Sequence, residues 1–213
     1  YTQDGTTFKR ETFSSYPDDV TVTHLTKKGN KTLDFTLWNS LTEDLLANGN
    51  YSWEYSNYKN GHVTTDEHGI LLKGTVKDNG LKFASYLGIK TDGTVTVQNE
   101  TLTVTGASYA TLYLSAKTNF AQNPKTNYRK DIDLEKTVKG IVEAAKAKDY
   151  ETLKKDHIKD YQSLFNRVKL NLVGNKTTQT TKEALQSYNP EKGQKLEELF
   201  FQYGRYLLIS SSR

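Results

Sequence analysis

The chain has 213 residues, a formal net charge of +4 from 29 basic and 25 acidic residues, and a mean hydropathy of −0.73. Charges of both signs are interspersed, and no basic run exceeds a pair such as Lys27-Lys28; this excludes the clustered basic face of a nucleic-acid binder. There is no cysteine, which excludes a disulfide scaffold, thiol catalysis and thiolate metal sites, and no stretch approaches the ~18 apolar residues of a membrane span.

Residues 1–118 read as strands. Val20–Leu25, Leu33–Trp38 and Leu102–Thr105 alternate apolar and polar residues, and Leu81–Ile89 and Tyr109–Ala116 are longer runs of the same kind. The punctuation between them is Gly29-Asn30, Asp78-Asn79-Gly80 and Asp92-Gly93, residues that supply the positive φ of tight turns. Tyr16-Pro17-Asp18-Asp19 reads as a strand-entry turn, because Pro17 lacks an N–H. Asn48–Asp66, rich in Asn, Gly, Ser and Tyr, reads as an irregular excursion with room for one strand. Several short strands at regular spacing predict an antiparallel β-sandwich, and 14 Tyr, 8 Phe and 2 Trp give it bulk to pack.

The pattern changes near residue 122. A polar linker leads to Asp133, a predicted N-cap for a helix over Lys136–Ala147. Asp149 is positioned to cap a second helix, whose Tyr150, Leu153, His157, Tyr161, Leu164, Phe165 and Val168 share a face. Tyr161, Leu164 and Phe165 are expected to pin this helix to the sandwich. Leu170–Gly174 reads as a short returning strand and Thr181 as the opening of a short helix. Asn189-Pro190 reads as cap and first position of the last helix. In that helix Leu196, Leu199, Phe200, Tyr203 and Leu207 recur at helical spacing, with Tyr206, Leu208 and Ile209 widening the apolar surface. Phe200, Phe201, Tyr203 and Leu207 are therefore expected to be covered, and the chain to be part of a longer protein. Gly204 would let another backbone approach, and Arg205, if buried, needs a carboxylate or carbonyl partner. Strands followed by helices, without βαβ alternation, predict a mainly β domain and then α. The predicted boundaries are 1–121 for the sandwich, 122–180 for the linker and 181–213 for the start of a helical domain.

Chemical motifs are sparse. His24, His62, His68 and His157 have no metal-ligand spacing, and no GxSxG, P-loop or GxGxxG occurs. Asp131 and Asp133, and Glu197 and Glu198, are carboxylate pairs, but sequence neighbours do not face each other across a glycosidic bond; a helix cap and solvated charge explain them. Tyr51, Trp53, Tyr55 and Tyr58 are candidates for sugar contact, against a reading as sandwich packing. Four Asn-x-Ser/Thr sequons, at Asn30, Asn50, Asn99 and Asn175, matter only in a eukaryotic secretory host.

Five segments carry a resemblance. Arg10–Leu25, Gly80–Ala84, Gly106–Phe120, His157–Val168 and Phe201–Arg213 resemble, in order, parts of glycoside hydrolase family 95, the bacterial α-L-fucosidases. The resemblance implies part of a larger super-sandwich that opens mid-domain at Tyr1, a helical linker, and the opening helix of an (α/α)6 barrel. It implies inversion at the anomeric carbon, with a glutamic acid protonating the leaving oxygen and amide and carboxylate side chains positioning water. Those residues are expected downstream of Arg213, so no catalytic residue is assigned here and no metal or cofactor is implied. The implied partners are the remainder of the hydrolase and a fucosylated glycan, and the implied location is extracellular or on a bacterial cell surface, with the export signal outside this sequence. The alternatives are a carbohydrate-binding module, or a related hydrolase cleaving another α-linked sugar such as galactose.

Overall fold

Alternation along Val20–Lys28 and Tyr109–Thr118 sends one set of side chains to each face of a sheet, and both faces find an apolar partner. The computed structural model describes residues 1–39, 59–172, 179–191 and 193–212. They divide into two compact units, Tyr1–His157 and Ile158–Arg213.

The first unit holds ten strands among the described residues: β1 (Thr2–Gln3), β2 (Thr6–Ser15), β3 (Val20–Lys28), β4 (Leu33–Leu37), β5 (Lys59–Asp66), β6 (Gly69–Val76), β7 (Lys82–Thr91), β8 (Thr94–Gln98), β9 (Thr101–Ala107) and β10 (Tyr109–Thr118). All pairings are antiparallel. Seven strands form one sheet in the order β1-β2-β3-β10-β7-β6-β5, and β4-β9-β8 form the second. Leu33, Leu102, Val104 and Ala107 of the small sheet close on Val63, Ile70 and Ile89 of the large one. This is the antiparallel sandwich that the alternation predicts, followed by helices.

The other face of the large sheet is covered by α1 (Leu134–Lys146). Leu134, Val138, Val142 and Ala145 recur at helical spacing and are all buried against Val22, Leu71, Tyr86 and Tyr113. Asp133 caps α1, accepting a hydrogen bond from the Lys136 amide at 3.0 Å. Helix α2 (Tyr150–Phe165) follows, with Asp149 accepting from the Thr152 amide at 2.8 Å. Leu153 alone of its residues is fully buried; Phe13 stacks on the His157 ring at 5.0 Å and lies tilted 6.0 Å from that of Tyr150.

The turn residues act for different reasons. Gly80 sits at φ 71, as a left-handed turn position requires. Gly93 is not in the left-handed region. A Cβ there would lie 2.7 Å from both the Ala107 Cβ and the Thr105 carbonyl oxygen, so its glycine is explained by close approach of β9, not by the positive φ expected from the sequence. Tyr16–Asp19 links β2 to β3 as expected: the Asp19 amide reaches the Tyr16 carbonyl at 3.3 Å and Asp19 takes φ 55. Asp18 beside Pro17 accepts from Ser15 and from Lys148 at 2.6 Å, and Lys148 also reaches Asp156 at 3.1 Å. The turn thereby fastens the α1–α2 corner.

The second unit continues α2 and adds α3 (Thr181–Gln186) and α4 (Gln194–Ser211). Thr180 and Glu183 form a reciprocal capping box on α3. Two expectations are corrected. Leu170–Leu172 is not a strand; the Leu172 amide is taken by the Glu198 carboxylate at 2.8 Å, leaving no ladder to join. Residues 173 and 174 lie outside the described residues. The last helix begins after Gly193, not at Asn189-Pro190. The Asn189 side chain accepts from the Glu191 amide at 2.8 Å, closing a local turn that competes with a helical start.

Candidate functional site

A glycosidase needs a carboxylic acid held protonated and therefore a raised pKa. Every carboxyl group with a resolved shift among the described residues moves the other way. Glu11 is drawn from its ordinary 4.5 to about 2, first by the hydrogen bond from Lys154 and then by that from Lys9. Glu135 is likewise held at about 2, first by Lys73 and then by Lys139. Asp34, Asp92, Asp149, Glu183 and Glu198 are all lowered, by hydroxyl, amide or lysine donors. These carboxylates are charge partners and caps.

The sign of the pH effect follows. A carboxyl whose folded pKa is depressed stabilises the fold above its unfolded pKa and loses that contribution as pH falls through the folded value. Glu11 and Glu135 place that window between about 4.5 and 2. Urea unfolding midpoints are expected to fall over this range. Lys154→Met should flatten the fall by removing the principal partner of Glu11. Each pair is partly exposed, so each contributes no more than ~1 kcal/mol.

The histidines are accounted for in the same way. His24 Nδ1 lies 2.8 Å from the Thr111 hydroxyl and its ring stacks on Tyr150 at 3.9 Å, with burial lowering its pKa. His157 stacks on Phe13, and His68 lies 3.7 Å from Glu67. No cluster of His, Asp or Glu suited to a metal occurs among the described residues.

Of the residues singled out in the sequence, Tyr51, Trp53, Tyr55 and Tyr58 lie outside the described residues. Tyr16 is exposed in the β2–β3 turn beside Pro17. Tyr161 stacks on Phe165 at 5.4 Å and meets Tyr206 at 6.2 Å. Gly204 faces open space, so nothing there requires a missing side chain. Arg205 finds carbonyl partners: it donates to the Phe165 and Val168 carbonyls at 2.5 and 3.0 Å and to Gln202 Oε1 at 2.7 Å, with its guanidinium 4.5 Å from the Phe165 ring. Arg205→Ala removes both carbonyl partners. It is expected to speed hydrogen exchange of the Asn166 and Arg167 amides by about tenfold.

Among the described residues the last helix is covered only in part, through Tyr206 on Tyr161 and Arg205 on Phe165. Phe200, Phe201, Tyr203 and Leu207 are 78, 41, 56 and 47% exposed, and no residue of α4 is buried. Neighbouring rings of the same helix, such as Tyr203 and Tyr206 at 6.2 Å, give each other partial shelter.

A feature the sequence did not reveal is a groove of about 560 Å³ across β6, β7 and β10. Leu72, Phe83, Ser85, Ala116 and Thr118 line its floor, and Phe120 and Lys130 also line it. Exposed Phe120 and Tyr128 lie with planes 2° apart and centroids 6.3 Å apart. The two aromatics are eight residues apart in sequence, and the Phe120–Arg129 bridge with the Ala121–Tyr128 backbone bond brings them together.

Comparison with known proteins decides the family. Residues 1–123, more than half of the chain, match the N-terminal domain of glycosyl hydrolase family 65, and residues 149–213 match the catalytic domain of glycosyl hydrolase family 95. The chain belongs to the family of glycosyl hydrolase family 65-type N-terminal domains, continued by a segment similar to the family 95 catalytic domain. The chain is 28% identical to Alpha-L-fucosidase 2 of Arabidopsis thaliana, over all of its own length and 27% of the relative. It is 31% identical to Probable alpha-fucosidase A of Aspergillus niger, over 98% of its own length and 26% of the relative. It therefore spans about a quarter of the length of these curated relatives. They come from a plant and a fungus, where the sequence reading expected a bacterium. The family 95 match opens at Asp149, the cap of α2, so this family divides the helical region just after α1. No helix among the described residues is long and apolar enough to cross a membrane.

Proposed function

We propose that residues 1–213 form the non-catalytic β-domain and the first helices of an α-L-fucosidase-type hydrolase acting on fucosylated glycans, with acid and base in the portion of the catalytic domain that follows α4. The observation that carries this reading is the similarity of essentially the whole chain to two proteins named as α-fucosidases, crossing from the β-domain into the start of the catalytic-domain match. The lowered carboxyl groups support it, since none is suited to protonate a leaving oxygen at neutral pH. In this division of labour the sandwich supplies a rigid support and α2 begins the catalytic portion. The protein acts outside the cell, where polymeric fucosylated glycans are found.

The test is hydrolysis of 2′-fucosyllactose by the longer protein, followed by proton NMR. Release of fucose whose first-formed anomer is β, from an α-linked substrate, is expected of an inverting pair of carboxylates. Release of galactose from α-galactosides, without fucose release, would instead assign the related hydrolase of different specificity.

A further inference from the structure

We infer that the groove beside Phe120 and Tyr128 binds an acidic oligosaccharide, one sugar ring stacked on the aromatics and its uronate carboxylate held by Lys130. The inference does not depend on which bond the longer protein cleaves.

The segment presenting the aromatics is built, not loose. Phe120 and Arg129 form an antiparallel bridge, and the Ala121 amide donates to the Tyr128 carbonyl at 3.0 Å. Asn123 caps the short 3-10 turn Pro124–Thr126 through the Lys125 amide at 3.1 Å. Arg129 donates to the Asn79 carbonyl at 2.9 Å, and the Lys130 amide to the Asn119 carbonyl at 2.9 Å. Asn119, itself buried, accepts from the Lys82 amide at 2.9 Å. Held this way, Asn127 and Tyr128 both adopt left-handed backbone, at φ 49 and 57. For a bulky aromatic residue that conformation is strained and persists only where the surroundings enforce it. The enforced geometry leaves two parallel rings about half exposed. Rings fixed before binding lose little entropy when a ligand stacks on them.

The lining chooses the ligand. Phe83, Leu72 and Ala116 alternate with the hydroxyls of Ser85 and Thr118. A pyranose offers a C–H face to the first group and hydroxyls to the second, whereas an aliphatic ligand would leave the hydroxyls unpaired. Charge completes the choice. Lys117 and Lys130 line the groove and no Asp or Glu does. Lys117 is paired with Asp19, while Lys130 has no carboxylate partner among the described residues. The remaining cation complements a carboxylate on the sugar.

The experiment is titration of the 213-residue chain with tetragalacturonate and with neutral cellotetraose, read by calorimetry and by amide NMR shifts over Phe120–Lys130. Tetragalacturonate is expected to bind with a Kd of about 1 mM or tighter and at least about tenfold more tightly than cellotetraose. Phe120→Ala and Tyr128→Ala should each weaken both sugars by about tenfold, and Phe120→Tyr should restore binding. Lys130→Met should erase the preference for the acidic sugar, as should added salt, without changing thermal unfolding. Absence of amide shifts at saturating sugar would overturn the proposal, as would equal affinity for the two sugars, or acidic binding unchanged in Phe120→Ala.

Discussion

Gly88→Val is expected to lower the melting temperature of the chain by roughly 6–12 °C, the equivalent of about 3 kcal/mol for a chain of this size. Gly88 lies in β7 directly beneath α1. A Cβ added there would sit 2.5 Å from Val142 Cγ1, and Val142 is fully buried. A β-branched neighbour has one preferred rotamer in a helix, so it cannot swing aside, and α1 itself must lift from the sheet. The displaced stripe includes Val138 and Ala145, which meet the same sheet face. Circular dichroism melting of the single variant, of Val142→Ala, and of the double variant checks the cause. The double variant is expected to be more stable than the sum of the two losses, because Val142→Ala creates the space that Gly88→Val needs.

Leu153→Ala is expected to cost about 2–4 kcal/mol, within the range for deleting a buried leucine side chain. Leu153 is the one fully buried residue of α2, and the catalytic-domain match begins at the residue that caps this helix. The flanking contacts are ring stacks of Tyr150 and His157 with His24 and Phe13, and the Lys154–Glu11 pair at 2.7 Å. Such contacts orient a helix but bury little apolar area. Hydrogen exchange should therefore accelerate in α2 more than in β7 or β10, and urea unfolding should begin at a lower concentration. Uniform acceleration across the sheet would instead make Leu153 a residue of the common core.

The contrast between these two sites shows what the sequence could reveal. β4 and β9 each bury one face, so their periodicity is visible, and in β3, β7 and β10 it survives in part although both faces of the large sheet are covered. β6 opens with three consecutive buried residues, Gly69, Ile70 and Leu71, and that run hides the alternation. β8 is nearly all exposed, and of its alternating valines only Val95 packs against the core. Caps were legible wherever a short polar side chain meets the first turn, as with Asp133 and Asp149. Asn189 misled because the same side chain closes an isolated turn equally well. The reason for Gly88 was not legible at all, since it depends on Val142, a helix residue fifty-four positions later in the chain. The groove escaped for the same reason: its floor comes from three strands, and its aromatics meet through a bridge between residues nine apart. The apolar surface of α4 was legible as apolar, but what covers it was not, because composition records the need for a partner and not its identity.

The central claim is that this chain supports catalysis without performing it. Turnover of 2′-fucosyllactose by residues 1–213 alone, compared with the longer protein under the same conditions, tests it most directly. No fucose release above the uncatalysed background is expected from the chain alone, alongside clear release by the longer protein. Release by residues 1–213 that drops by about a hundredfold or more in Glu197→Gln or Glu198→Gln would contradict the account, because it would place a working acid or base within this chain.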